Sequence, residues 1–166
     1  MRFSSSTIIS ALLATTLAAP TPLAKRAVLT AQSYADFQVS DGVAGNALAE
    51  VQAKFPIDTT DLSAIDPADA KIISDARQTA ESAETDGFNP AIESASGDAA
   101  TALQNGKIKN KVLKLQLEVL DLGISAAQSG KDNSAKIAQE QKKLDNNVAT
   151  DKKNAGQAST SVEFDG

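Results

Sequence analysis

The stretch Gly106 to Gln128, GKIKNKVLKLQLEVLDLGISAAQ, constrains the fold more than any other part of the chain. At about 100° per residue, Ile108, Val112, Leu115, Val119, Leu122 and Ala126 form one stripe, and Leu113, Leu117, Leu120 and Ile124 form a second on nearly the opposite side. A surface helix has one apolar face; this one has two. Only the arc with Lys107, Asn110, Lys111, Lys114, Glu118, Asp121 and Ser125 is left for water. Such a helix needs packing partners on two flanks, the position of a central element in a bundle.

The partners must come from weaker helices on either side. Residues 27–38 form an irregular or weakly helical lead-in anchored by Val28, Leu29, Tyr34 and Phe37. Asp41 is placed to cap a helix over residues 42–54, with Val43, Ala47, Leu48, Val51 and Phe55 on its apolar face and Pro56 as its stop. After the polar connection 57–65, Asp66-Pro67 starts a helix carrying Ile72, Ile73, Ala76, Ala80 and Ala83 inward, with Gly87 as the expected stop. Asn89-Pro90 repeats the starting device, and an Ala-rich face with Ile92 and Leu103 runs to Asn105-Gly106. Beyond Gly130, Asp132 caps a last helix with Ile137, Gln141, Leu144, Val148 and Ala155 beneath a charged exterior.

No run alternates as strands do. The expected fold is therefore all-α: a four- to five-helix antiparallel bundle around a central helix at about 107–129, one domain over residues 27–156, and a flexible tail at 157–166. Alanine faces bury little area at about 25 cal/mol per Å², so the core energy should sit in Ile108 to Ile124. Leu115→Ala or Val119→Asp is expected to unfold the domain and Ala80→Ser to be mild.

The first residues bear on compartment. A positive start at Met1-Arg2, an apolar run from Thr7 to Leu17 and the small residues Ala18 and Ala19 have the form of a secretory signal peptide, assigned to residues 1–18. Residues 19–26 read as a short propeptide ending in the dibasic pair Lys25-Arg26, the kind of sequence after which fungal secretory endoproteases cut. The product would start at Ala27 and, having lost Arg2, Lys25 and Arg26, would carry a formal charge of −8 in place of −5. No later segment is long and apolar enough to span a bilayer. The expected protein is secreted and extracellular, with cell-wall association open to it. An acidic domain of this kind is a poor ligand for nucleic acid.

Chemistry is limited by what is missing. The chain has no histidine, no cysteine and no tryptophan. It therefore has no Ser-His-Asp or Cys-His apparatus and no His/Cys zinc site, and no stretch matches a calcium loop, so neither a metal nor a cofactor is expected. Carboxylates remain: Asp58, Asp61, Asp66 and Asp69 are clustered, and Glu81 and Glu84 lie three apart on a helix. In an acidic bundle such groups are caps or a solvated face, and no enzymatic activity is expected.

One charge arrangement stands apart. Lys107, Lys109, Lys111 and Lys114 gather at the start of the central helix, where the helix dipole is already positive. One reading is an anion-binding patch for a lipid head group, a phosphate or an acidic partner. The other is that Lys107, Lys111 and Lys114 pair across the bundle with Glu81, Glu84 and Asp86.

The propeptide-like APTPLAKR and the stretches YADFQVSDGVAGNALAE, from Tyr34 to Glu50, and NGKIKNKVLKL, from Asn105 to Leu115, resemble recurring segments of the small secreted proteins of ascomycete fungi. That group implies no catalytic residues to carry over. The cysteine-free, Ala/Ser-rich helical make-up is more loosely similar to fungal hydrophobic-surface-binding and cell-wall mannoprotein families, which bind apolar surfaces or lipids. Two functions follow as expectations. The first is a non-enzymatic, effector-like secreted protein that binds at the cell surface or to a host or microbial partner. The alternative is an extracellular carrier of a lipid or other hydrophobic ligand, held between the central helix and its small-residue neighbours unless Phe37, Phe55 and Phe88 fill that space.

Overall fold

A computed structural model describes residues 27–165; the expected signal peptide, the propeptide and the Lys25-Arg26 site lie outside the described residues. The chain runs through a one-turn helix α1 (Tyr34–Phe37), a two-residue strand β1 (Gly42–Val43) and α2 (Ala47–Lys54). A 3-10 turn at Leu62–Ala64 leads to α3 (Pro67–Ser82), a π-helical segment (Ala83–Phe88) and α4 (Asn89–Ser94). Then come α5 (Gly97–Ser129), α6 (Ser134–Lys153) and a second short strand β2 (Ala158–Ser159). This is the expected all-α bundle. Helix α5 is its centre: α2, α3 and α6 all pack against it.

The stripe Leu113, Leu117, Leu120 and Ile124 is buried along its whole length, joined by Val112 and Leu115. The remainder of the other stripe, including Ile108, Val119 and Leu122, is only half-buried. Opposite them α3 presents Ile73, Ala76 and Ala80, with Ala83 following, all buried; α2 contributes Ala47 and Val51, and α6 contributes Leu144. Tyr34 meets Phe37 and Phe164 edge-on at ring-centroid distances of 5.6 and 5.8 Å, closing the core at the chain ends. Val28, expected as an anchor, is 62% exposed. Its neighbour Leu29 packs against the core instead.

Four boundaries differ from expectation, each for a physical reason. Helix α5 begins at Gly97, not near 107, so Asn105-Gly106 lies inside a helix. A Cβ built on Gly106 would lie 2.0 Å from the Thr160 carbonyl oxygen. The glycine is there for close approach of another segment, not as a stop. Second, Gly87 and Asn89-Pro90 do not divide two helices. The turn widens, so that the Asn89 N–H donates to the Glu84 carbonyl five residues back. The wider turn makes room for Pro90, which lacks an N–H and would crowd the preceding turn of a regular helix. The helix passes through and ends at Ser94.

Third, α2 starts at Ala47, because Gly42 and Gly45 adopt φ of +88° and +120°, outside the helical region. Asp41 caps nothing. Its carboxylate accepts from the Ser161 N–H at 2.8 Å and the Gln38 amide at 2.7 Å. The α2 start is capped from far along the chain: Asp151 on α6 accepts from the Gly45 and Ala47 N–H groups, both at 2.9 Å. Fourth, the expected tail is packed. Strand β2 pairs antiparallel with β1, with Gly42 opposite Ser159 and Val43 opposite Ala158. Thr160 N–H donates to the Ala102 carbonyl at 3.0 Å.

Candidate functional site

The four lysines expected to form one patch are separated by the fold. Because α5 starts at Gly97, they lie in the helix interior, where the N–H groups are taken by the helix itself and no dipole end is exposed. Lys109 is fully buried. Its ammonium donates to the Asp41 carbonyl at 2.9 Å and the Val43 carbonyl at 3.1 Å, and pairs with Glu50 at 2.8 Å. All three of its donors are used, so it has none for a ligand. Lys107 donates to the Asn89 side-chain oxygen at 2.6 Å.

Around Lys109 runs a polar track that the sequence reading did not recognise. Asn105, 3% exposed, donates to the Ala158 carbonyl at 2.8 Å and accepts from Asn154 at 2.9 Å. Asn110, placed on the water-facing arc by expectation, is fully buried. It accepts from the Tyr34 hydroxyl at 2.9 Å and donates to the Ala80 carbonyl at 2.8 Å. Burial pushes the Tyr34 phenol pKa up, keeping it the donor in this pair. Asn105, Gly106 and Lys109 thus hold the backbone of β1, β2 and the residues beside them against α5, while Asn110 joins Tyr34 and α3 to it. The signal was present: stepping back by fours from Leu117 and Leu113 reaches Lys109 and Asn105, which puts both on the buried stripe.

Lys111 and Lys114 reach a different place, a cleft of about 500 Å³ between α3, α5 and α6. Arg77, Lys111, Lys114, Lys136 and Lys143 line it with Glu81, Glu118 and Glu140, five cations to three carboxylates in a chain whose net charge is −5. Glu84, on the π-helical segment, is shared by Lys114 at 2.8 Å and Lys111 at 3.6 Å. Glu140 is shared by Lys143 at 3.0 Å and Lys136 at 3.2 Å. Arg77 pairs with Glu81 through Nη1 and with Glu118 through Nε, each at 3.1 Å. The second contact is off the donor axis, so the buried Nε makes no hydrogen bond.

Burial pushes the Glu84 carboxyl up, but the Lys114 hydrogen bond and the charges of Lys114, Lys111 and Lys107 outweigh it and hold the group below the usual range. Glu140 behaves alike: its desolvation is outweighed by Lys143 and Lys136, and it too titrates low. The pairing reading therefore holds for Glu84 with Lys111 and Lys114 only: Glu81 pairs with Arg77 on its own helix, and Lys107 goes to Asn89. Glu140 was missed altogether. It occupies the inward position next to Gln141, the residue that the periodicity assigned to that stripe.

Three of the four clustered aspartates serve their local backbone, while Asp69 accepts from the distant Val28 and Leu29 N–H groups. Asp58 accepts from Thr60, Asp61 from Ser63, and Asp66 from the Ala68 N–H at the start of α3. Among the described residues, no group of acidic side chains is arranged to hold a metal ion, and no helix is long and apolar enough to cross a membrane.

Fold and site together define a cysteine-free all-α bundle with the β1–β2 pair docked on its central helix and a cleft rich in cationic side chains between α3, α5 and α6. Residues 29–163 match the model of a family described as a domain of unknown function (DUF8454), and the chain belongs to that family. No curated protein and no solved structure matches it.

Proposed function

We propose that the chain is a small secreted protein of fungal type that acts without catalysis, by binding at the cell surface or to a partner from a host or microbe. The cleft between α3, α5 and α6 is the part that binds, and its ligand carries an anionic group. The observation that carries this reading is the surplus of cationic donors: five cations line the cleft against three carboxylates, and Glu84 beside it takes two of the lysines. Each lysine ammonium has three N–H donors, and here two lysines share each of Glu84 and Glu140. Lys136 and Lys143 are half exposed, and the Arg77 Nε is still without a hydrogen bond. A phosphate or carboxylate entering between Lys111 and Lys143 would complete these sets. The absence of histidine and cysteine, and the local use of Asp58, Asp61 and Asp66, support a role without chemistry.

The test is co-sedimentation with vesicles. Wild-type protein binds anionic vesicles and not neutral ones, and the triple change Lys111→Gln, Lys136→Gln, Lys143→Gln weakens binding at least about tenfold, with added salt doing the same. Equal binding to both vesicle types, or binding indifferent to the three changes, contradicts the reading.

A carrier role has one observation in its favour. A separate cleft of about 300 Å³ is lined by Leu29, Phe37, Phe55, Ile72 and Ala76, at the low end of ligand-pocket volumes. It lies under the N-terminal segment, not between α5 and its small-residue neighbours. Native mass spectrometry of protein from culture medium showing a removable excess mass of fatty acid or sterol would favour it; a bare mass would count against it.

A further inference from the structure

We propose that Asp69 is the seat of a new chain terminus: cleavage after Arg26 creates an α-ammonium on Ala27, and this group pairs with the buried Asp69 carboxylate and locks the N-terminal segment onto α3. The proposal rests on the secreted, processed reading above. Asp69 is 2% exposed. Its two oxygens accept from the Val28 N–H at 3.1 and 2.9 Å, and one accepts from the Leu29 N–H at 2.8 Å. No cation pairs with it among the described residues. A carboxylate this deeply buried is normally matched by a positive charge. The dibasic pair ends one residue before Ala27, so the nitrogen freed by cleavage is one residue from the amide that Asp69 already grips.

The step balances simply. A dibasic-specific endoprotease adds water across the Arg26–Ala27 bond, leaving a carboxylate on Arg26 and an amine on Ala27, which takes up a proton at neutral pH. In the uncut chain that atom is a neutral amide. After the cut, a full positive charge stands beside a buried negative one. The surroundings favour it. Asp58 and Asp66 line the same small cleft as Val28 and Asp69. On the other flank, Lys54 and Asp75 line the cleft beside Val28 and Leu29 and offset one another. An α-amino group titrates at about 8 when unpaired, so the pairing contributes fully below that pH and is lost as pH rises through the higher value the docked group would have.

The experiment uses protein secreted by a host with dibasic processing, as wild type and as a Lys25→Gln/Arg26→Gln chain that cannot be cut. Intact mass reports where each chain starts, and thermal melts are run from pH 6 to 10. The expected result is a wild type starting at Ala27 and melting about 3–6 °C above the uncut chain at pH 6, with the gap closing toward pH 10. Asp69→Asn, introduced into both chains, should abolish the pH-dependent gap between them. A wild-type product still carrying Lys25-Arg26 overturns the processing reading and the proposal with it. A product starting at Ala27 with no gap, or with a gap that persists unchanged in Asp69→Asn, overturns the docking alone. If Asp69→Asn fails to fold, the pH dependence of the gap between the cut and uncut chains decides by itself.

Discussion

At Gly106 two effects of opposite sign compete. Replacing an interior helical glycine by alanine ordinarily stabilises by about 0.5–1 kcal/mol. Here the added methyl would sit 2.0 Å from the Thr160 oxygen, a backbone atom with little room to yield. Overpacking of this kind costs about 1–3 kcal/mol or more, so Gly106→Ala should lower the melting temperature although it improves helix propensity. At Lys109 the question is whether the ammonium is a ligand or a strut. Lys109→Met leaves the part-buried Asp41 and Val43 carbonyls without this donor, along with a Glu50 carboxylate that water can partly serve, since that side chain is 34% exposed. A loss of about 2–3 kcal/mol in chemical denaturation is expected, with vesicle binding unchanged below the melting transition. Both residues were visible in the sequence but misread. A Gly after an Asn looks like a terminator, and a Lys among lysines looks like a patch; only the three-dimensional return of the chain ends gives them other duties.

The elements divide into those that side-chain period could reveal and those it could not. Helix α5 was legible through Leu113, Leu117, Leu120 and Ile124, and Leu117→Ala, at a fully buried position, should cost about 2–5 kcal/mol in a denaturant melt. Leu115→Ala belongs in that range too. Val119, expected to be equally critical, is only half-buried and should tolerate change better than Leu117. The start of α2 was not legible, because its cap is Asp151, about a hundred residues away in sequence. Asp151→Ala should cost about 1–2 kcal/mol, whereas Asp132→Ala, on an exposed turn, should cost less. The β1–β2 pairing was equally hidden. Two-residue strands have no alternation to read, and the last residues dock through backbone hydrogen bonds, which leave no hydrophobic period.

For the molecule as a whole, the ion pairs of the cleft tie α3 and the π-helical segment to α5, brace α6 within itself and set an acid limit. Glu84 and Glu140 both have lowered folded-state pKa values, so each contributes stability above the ordinary glutamate value of about 4.3 and loses it as pH falls below that value through the lowered one. Wild type should therefore lose stability steeply below about pH 4, and Glu84→Gln should flatten that limb of a Tm-against-pH curve. The bundle and its central helix could be read from the sequence, but the cleft between α3, α5 and α6 could not. The segment that drew attention, Asn105 to Lys111, divides its side chains between a structural track and a cleft half a turn away. The central role of this track is to hold β1, β2 and the residues beside them to α5. Its most direct test is amide hydrogen exchange of Gly106→Ala against wild type, below the melting transition of both. That role predicts that protection falls selectively at Ala44, Thr160 and Ser161, while Leu113 to Ile124 stays protected. Unchanged protection at those three amides would contradict it.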